Sequence, residues 1–217
     1  MAMLTCEEMR DLWNSNDGDQ WRRFESVEYS NMIRNTDLEH EIESLDKNVL
    51  FSNSYTDFFS FLFDRYFPWK YTQPNRLTTT RNRLSEMTDF EKQVLFESFR
   101  GLDKCLSGID PTVDYIKGSF MIATMVKGLG IAGASGLLSV MYPHLFGTVD
   151  QFVVHSLDTM GLNTRVSHPE GLTIEDAVSL ERIMIKKAAI LNEISGTSYW
   201  TPRKIDKVLW CIRVLEQ

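Results

Sequence analysis

The sequence predicts an all-α fold, a two-lobed helical bundle with a cleft between its lobes. Two observations carry the fold class. Apolar residues recur at three- and four-residue intervals along most of the chain, with capping residues ahead of many of these stretches. No segment shows the alternation of a half-buried strand, and no internal repeat or low-complexity linker appears. At 217 residues the chain suits one helical domain. One lobe is expected over about residues 89–165, the other over about 1–88 plus 166–217.

The elements follow in order. Thr5 with Glu8, and Thr36 with Glu39, have capping-box spacing. Thr56 is placed to cap a helix over 57–67, in which Phe58, Phe59, Leu62, Phe63, Tyr66 and Phe67 form an aromatic core face. Pro68 is expected to end it. The stretch 69–88 lacks helical periodicity and holds Lys70, Arg76, Arg81 and Arg83. Asp89 is placed to cap the next helix, with Phe90, Val94, Leu95, Phe99 and Leu102 inward and its end near Gly108. Asp110-Pro111 starts another, to about Val126. Gly128 and Gly130 turn the chain, helix resumes from Ala132 to Met141, and Pro143 stops it. Asp150 caps a helix over 151–160 that Gly161 ends. A polar loop over 163–171 precedes a helix capped by Thr173 and closed by Gly196. Thr201-Pro202 opens the last helix, with Ile205, Val208, Leu209, Ile212 and Leu215 inward and Trp200 and Trp210 beside them.

Composition narrows the function classes. An apolar content of 43% is that of a globular chain, and the longest apolar run is too short and too broken by glycine to span a bilayer. The first residues lack the basic-then-apolar order of a signal peptide, so a cytoplasmic protein without membrane partners is expected. Cys6, Cys105 and Cys211 have no metal-site spacing and are expected to be buried, reduced thiols. The net charge of −7 argues against strong nonspecific DNA binding, although a local basic patch can still hold nucleic acid.

The stretch Lys127-Gly128-Leu129-Gly130-Ile131-Ala132 lies between two apolar helical patterns, and Asp150 opens a later helix. Glycines there let another backbone approach closely, and the helix start that follows favours an anion such as phosphate. Lys127 adds a point charge. The same pattern also serves as a tight turn between helices, and Asp150 also serves as an ordinary N-cap.

Residues 125–135 and 148–154 together resemble the helix-hairpin-helix DNA glycosylase superfamily, whose members include endonuclease III and 8-oxoguanine glycosylase-like enzymes. The resemblance covers about residues 116–161; the closing segment 199–210 is similar to the last helix of several uncharacterised members. It implies that Lys127, Gly128, Gly130 and Ala132 grip a DNA phosphate and that Asp150 faces a flipped nucleotide. Members with lyase activity carry a lysine two residues after the second hairpin glycine. This chain has Ala132 there, which implies a monofunctional hydrolase with water as nucleophile. The family's iron–sulfur cysteines are absent. No cofactor is implied, beyond a monovalent cation that the hairpin carbonyls could hold.

Hydrolysis of an N-glycosidic bond builds positive charge on the sugar, which a carboxylate stabilises while it orients water. The expected partner is therefore double-stranded DNA with a damaged or modified base flipped out, bound by a monomer. Trp69, Lys70, Tyr71 and Arg76 are candidates for base stacking or DNA contact; Trp69 and Tyr71 could equally close the aromatic core. His155 lies about 140° around the helix from Asp150, so neither it nor His144 is read as a catalytic partner. The alternative function is a noncatalytic helix-hairpin-helix module that binds DNA or protein.

Overall fold

A computed structural model of the chain describes residues 4–107 and 113–215, with backbone alone at 113, 114 and 213–215. The expected helix start at Asp110-Pro111 and the side chain of Leu215 lie outside the described residues. Helices and short turns account for the described chain, with no strand among the described residues. In order they are α1 (Cys6–Asn14), α2 (Gly18–Arg22), a π-helical turn (Arg23–Glu28), α3 (Tyr29–Met32), α4 (Thr36–Glu43), α5 (Lys47–Ser52) and α6 (Tyr55–Phe61). A second π turn (Leu62–Tyr66) leads into α7 (Phe67–Lys70), then α8 (Pro74–Ser85), α9 (Asp89–Leu106), α10 (Val113–Ala123) and α11 (Ile131–Met141). The chain closes with α12 (Gln151–Thr159), a 3₁₀ turn (Pro169–Gly171), α13 (Ile174–Ser195) and α14 (Pro202–Leu215). No described helix is long and apolar enough to cross a membrane.

The chain divides into two compact units, a central one over Asn35–Met141 and a terminal one formed by Met1–Arg34 with Tyr142–Gln217. The expected boundaries near 89 and 165 differ from these. Residues 35–88 side with the hairpin because the aromatic helix packs on α9 and α11: Phe58 lies 5.2 Å from Phe99 ring to ring, and the buried Tyr66 hydroxyl donates to the Gly133 carbonyl at 2.5 Å.

In the central unit the aromatic helix is longer than expected. Ser54, not Thr56, is its N-cap, in a capping box with Asp57. Pro68 does not end it. The ladder slips to π spacing over Leu62–Tyr66, with the Phe67 N–H donating to the Leu62 carbonyl, so Pro68 falls in the first turn of a fresh α segment where its missing N–H costs little. The stretch read as aperiodic contains α8. Its inward face holds only Leu77, Thr80, Arg81 and Leu84, too little apolar character to register as a period. Asn35 rather than Thr36 caps α4, and Thr88 rather than Asp89 caps α9. Leu95, Phe99 and Leu102 on α9 are buried, but Phe90 is 76% exposed and Val94 is exposed too. Nine residues place Phe90 about 180° from Phe99 on the helix.

The terminal unit packs α12 and α13 against α14, with the π turn Arg23–Glu28 on the same helix. Ile205, Val208, Leu209 and Ile212 are buried, as is Trp200, while Trp210 is half-buried with its ring 5.5 Å from Tyr29. Of the cysteines only Cys211 is buried, its thiol 3.4 Å from the Phe24 carbonyl; Cys6 and Cys105 are exposed, contrary to expectation. Both sit on outward positions of amphipathic helices.

Candidate functional site

The central unit carries the glycine turn. After α10 the Thr124 and Met125 N–H groups donate to Phe120 and Ile122, and Leu129 donates to Val126 at 3.0 Å. Val126 and Leu129 are buried and pin the turn to the core, while Gly130 stays exposed. The two glycines have different reasons to be there. Gly128 has φ +98°, and a Cβ on it would lie 3.0 Å from the Thr80 carbonyl oxygen of α8. The fold itself therefore demands the first glycine. A Cβ on Gly130 would meet nothing within 4 Å. The N–H groups of the first turn of α11 have no acceptor within their own helix, and the helix dipole is positive there.

Lys127 is not a lone charge. Its Nζ lies 2.9 Å from Glu91 Oε1. The Thr88 backbone N–H, together with Lys127, pulls the Glu91 carboxyl down to about 2. The pair is half-exposed and screened by solvent, so it holds its partners weakly and a phosphate can compete for the lysine. Ala132, on the first turn of α11, is half-exposed and offers only a methyl group.

The small residues of α11 are explained by packing. A Cβ on Gly136 would lie 2.7 Å from the Tyr66 hydroxyl and 3.2 Å from Lys70 Cδ, and one on Gly133 would clash with the Tyr71 hydroxyl and Leu129. The structure thus brings Lys70 and Tyr71 onto α11. Arg76 lies over the Tyr71 ring at 5.8 Å and is exposed. Burial pushes the Tyr71 hydroxyl above its ordinary pKa. Trp69 points elsewhere: its indole N–H donates to Glu39 on α4 at 2.5 Å, and its ring lies 5.9 Å from Tyr66. Trp69 and Lys70 belong to α7, which corrects the non-helical placement expected for them.

Asp150 belongs to the terminal unit. It is the extended N-cap of α12, and its Oδ1 accepts the N–H groups of Phe152 at 3.0 Å and Val153 at 3.1 Å. The residue is half-buried. The loop before it, from Leu145 to Val149, is buried throughout. The Gly147 N–H donates to Glu181 Oε2 on α13 at 2.9 Å, and a Cβ on Gly147 would sit 2.9 Å from the Pro202 carbonyl. Glu181 is fully buried, and its Oε1 has no hydrogen-bond partner among the described residues. Burial raises its pKa well above the carboxylate range, and Asp206 adds in the same direction. Glu181 thus acts as a buried peg beneath the Asp150 loop. Sequence reasoning missed it. The available signal was a carboxylate in the apolar register of α13, four residues after Ala177 and three before Met184. His144 and His155 are both exposed.

Chemically, the terminal unit offers an oriented carboxylate at a helix start, and the central unit an exposed backbone turn with basic and aromatic side chains nearby. Among the described residues no cluster of three His, Cys, Asp or Glu side chains is placed to hold a metal ion. Comparison of the chain with family models, with curated proteins and with solved structures found no match.

Proposed function

We propose that this protein is a monofunctional DNA glycosylase that hydrolyses the bond between a damaged or modified base and deoxyribose. The observation that carries the reading is Asp150: a half-buried carboxylate held by two backbone N–H groups on a loop pegged from beneath by Glu181. A carboxylate fixed in this way needs no reorganisation as charge builds on the sugar. In the proposed step the bond from C1′ to the base nitrogen breaks while a water oxygen bonds to C1′. The water's proton passes to Asp150, and the departing base nitrogen takes up a proton, leaving free base and an abasic site. Flipping the base out of the duplex costs about a few kcal/mol, which contacts to the DNA backbone must offset. Ala132 offers no amine, so no Schiff-base step follows. The test is release of free base from duplexes carrying a panel of damaged and hypermodified bases; no release from any of them overturns the enzymatic reading.

A noncatalytic DNA- or protein-binding module is the second reading. It is favoured by the contact of Gly128 with Thr80, which accounts for the first hairpin glycine by packing alone. Salt-dependent duplex binding that is untouched by Asp150→Asn, with no product formed, would support it.

A further inference from the structure

We infer that the exposed face of α8, built on Arg76 and Arg83, is a second rail for the sugar–phosphate backbone of duplex DNA, running beside the glycine turn. The inference deepens the proposed function and rests on its DNA-binding part.

The chain as a whole is acidic, with 30 Asp and Glu against 23 Lys and Arg. Against that background Pro74–Ser85 holds three arginines and no carboxylate. The three are not equivalent. Arg81 is turned onto the fold: its Nε donates to the Phe63 carbonyl at 3.0 Å, and its guanidinium lies 4.6 Å from the centre of the Phe63 ring. Arg76 and Arg83 are exposed, and among the described residues neither has a carboxylate partner.

Their spacing sets the face. Seven residues apart, they fall within about 20° of each other around the helix and about 10.5 Å apart along it. Thr79, also exposed, lies on the same side about 60° from Arg76, but its hydroxyl donates to the Asn75 carbonyl at 2.9 Å, so the arginines alone supply donors on this face. Thr80 sits between the two arginines in sequence and is the residue that packs on Gly128. The arginine pair therefore brackets the point where α8 meets the turn. The acids that follow are Glu86, at the end of α8, Asp89, whose carboxylate lies 4.0 Å from the Lys92 amine, and Glu91, which is engaged by Thr88 and Lys127. Two exposed guanidinium groups on a helix that carries no carboxylate, alongside the turn that exposes Gly130, are complementary to a line of phosphates.

The experiment is fluorescence anisotropy of a labelled duplex with the full chain across a salt series. Each phosphate contact contributes about 0.9 to the slope of log affinity against log salt. The double variant R76Q/R83Q is expected to lower the slope by about 1.8 and to weaken binding at least tenfold near 0.1 M salt. R76K/R83K should keep most of the slope, because the charge remains. R65Q serves as control, since Arg65 lies outside α8 and is already paired with Glu41 at 2.7 Å. Circular dichroism melts verify that each variant is folded. If the wild type binds and R76Q/R83Q keeps its slope, the rail is overturned while the DNA reading stands. If the wild type shows no binding even at low salt, the DNA reading fails and the rail with it.

Discussion

The Gly147 N–H donates to the buried carboxyl of Glu181 at 2.9 Å, three residues ahead of Asp150. This bond ties the loop that presents Asp150 to the interior of the terminal unit. Its acceptor is an acid whose pKa burial raises above the unfolded value. The sign of the linkage follows. Below about pH 4.5 both states hold the proton and the contribution of Glu181 is fully present. As pH rises toward the folded pKa, the unfolded chain releases the proton first, and stability is lost. Urea unfolding should therefore show Glu181→Gln gaining stability over wild type as pH rises from 5 to 8. Parallel pH profiles for the two proteins would contradict a raised Glu181. Glu181→Ala, which strands the Gly147 N–H and leaves a cavity, should cost about 2–4 kcal/mol.

Lys187 reports on the other side of the same unit. Its buried amine donates to the carbonyls of Trp13 at 2.6 Å and Ser15 at 3.0 Å and lies 4.7 Å from the Trp21 ring centre. Burial lowers its pKa to about 8. The folded state is then the weaker proton binder, so this group makes stability rise between about pH 8 and the unfolded value of 10.5. Tryptophan emission should titrate with a midpoint near 8 in the wild type and lose that transition in Lys187→Met. An unchanged transition in the variant would assign it to another group.

The two glycines of the turn should part company on substitution. Gly128→Ala combines a positive φ with a contact at the Thr80 carbonyl and should cost about 1–3 kcal/mol in thermal or urea unfolding. Gly130→Ala meets nothing and should change stability by no more than about 0.5 kcal/mol. If Gly130 is where a DNA backbone approaches, the same variant should lose duplex affinity while remaining fully folded. Equal stability losses at the two positions would contradict this division.

The Tyr66 hydroxyl, buried against the Gly133 carbonyl, joins the aromatic helix to α11. Tyr66→Phe should destabilise the chain by about 1–2 kcal/mol, measured by urea unfolding. No loss would mean that packing alone holds the two helices together.

Local chemistry was legible in the sequence where it is short-range. The capping box of Thr5 with Glu8, the caps at Asp150 and Thr173, the left-handed Gly196 and the start of α14 all stand where their residues placed them. What escaped is set by tertiary packing. The π turn ahead of Pro68 lets a helix pass a proline that the sequence reads as a stop. The helix α8 has too few apolar residues to show a period. Phe90 and Val94 look like core by type and face outward by angle. Within the candidate site, Asp150 and the glycines are the residues that order and spacing single out. Glu181 and the contact of Thr80 with Gly128 are not, because each joins residues far apart in the chain.

The central claim is that Asp150 performs chemistry beyond its role as a cap. Asn caps a helix about as well as Asp, so Asp150→Asn should leave unfolding stability within about 1 kcal/mol of wild type. Single-turnover release of free base from a duplex bearing the preferred modified base is the decisive measurement. Wild type should release the base, and Asp150→Asn should do so at least about 100-fold more slowly. Equal rates in the two proteins, or no release from any modified base by the wild type, would contradict the account.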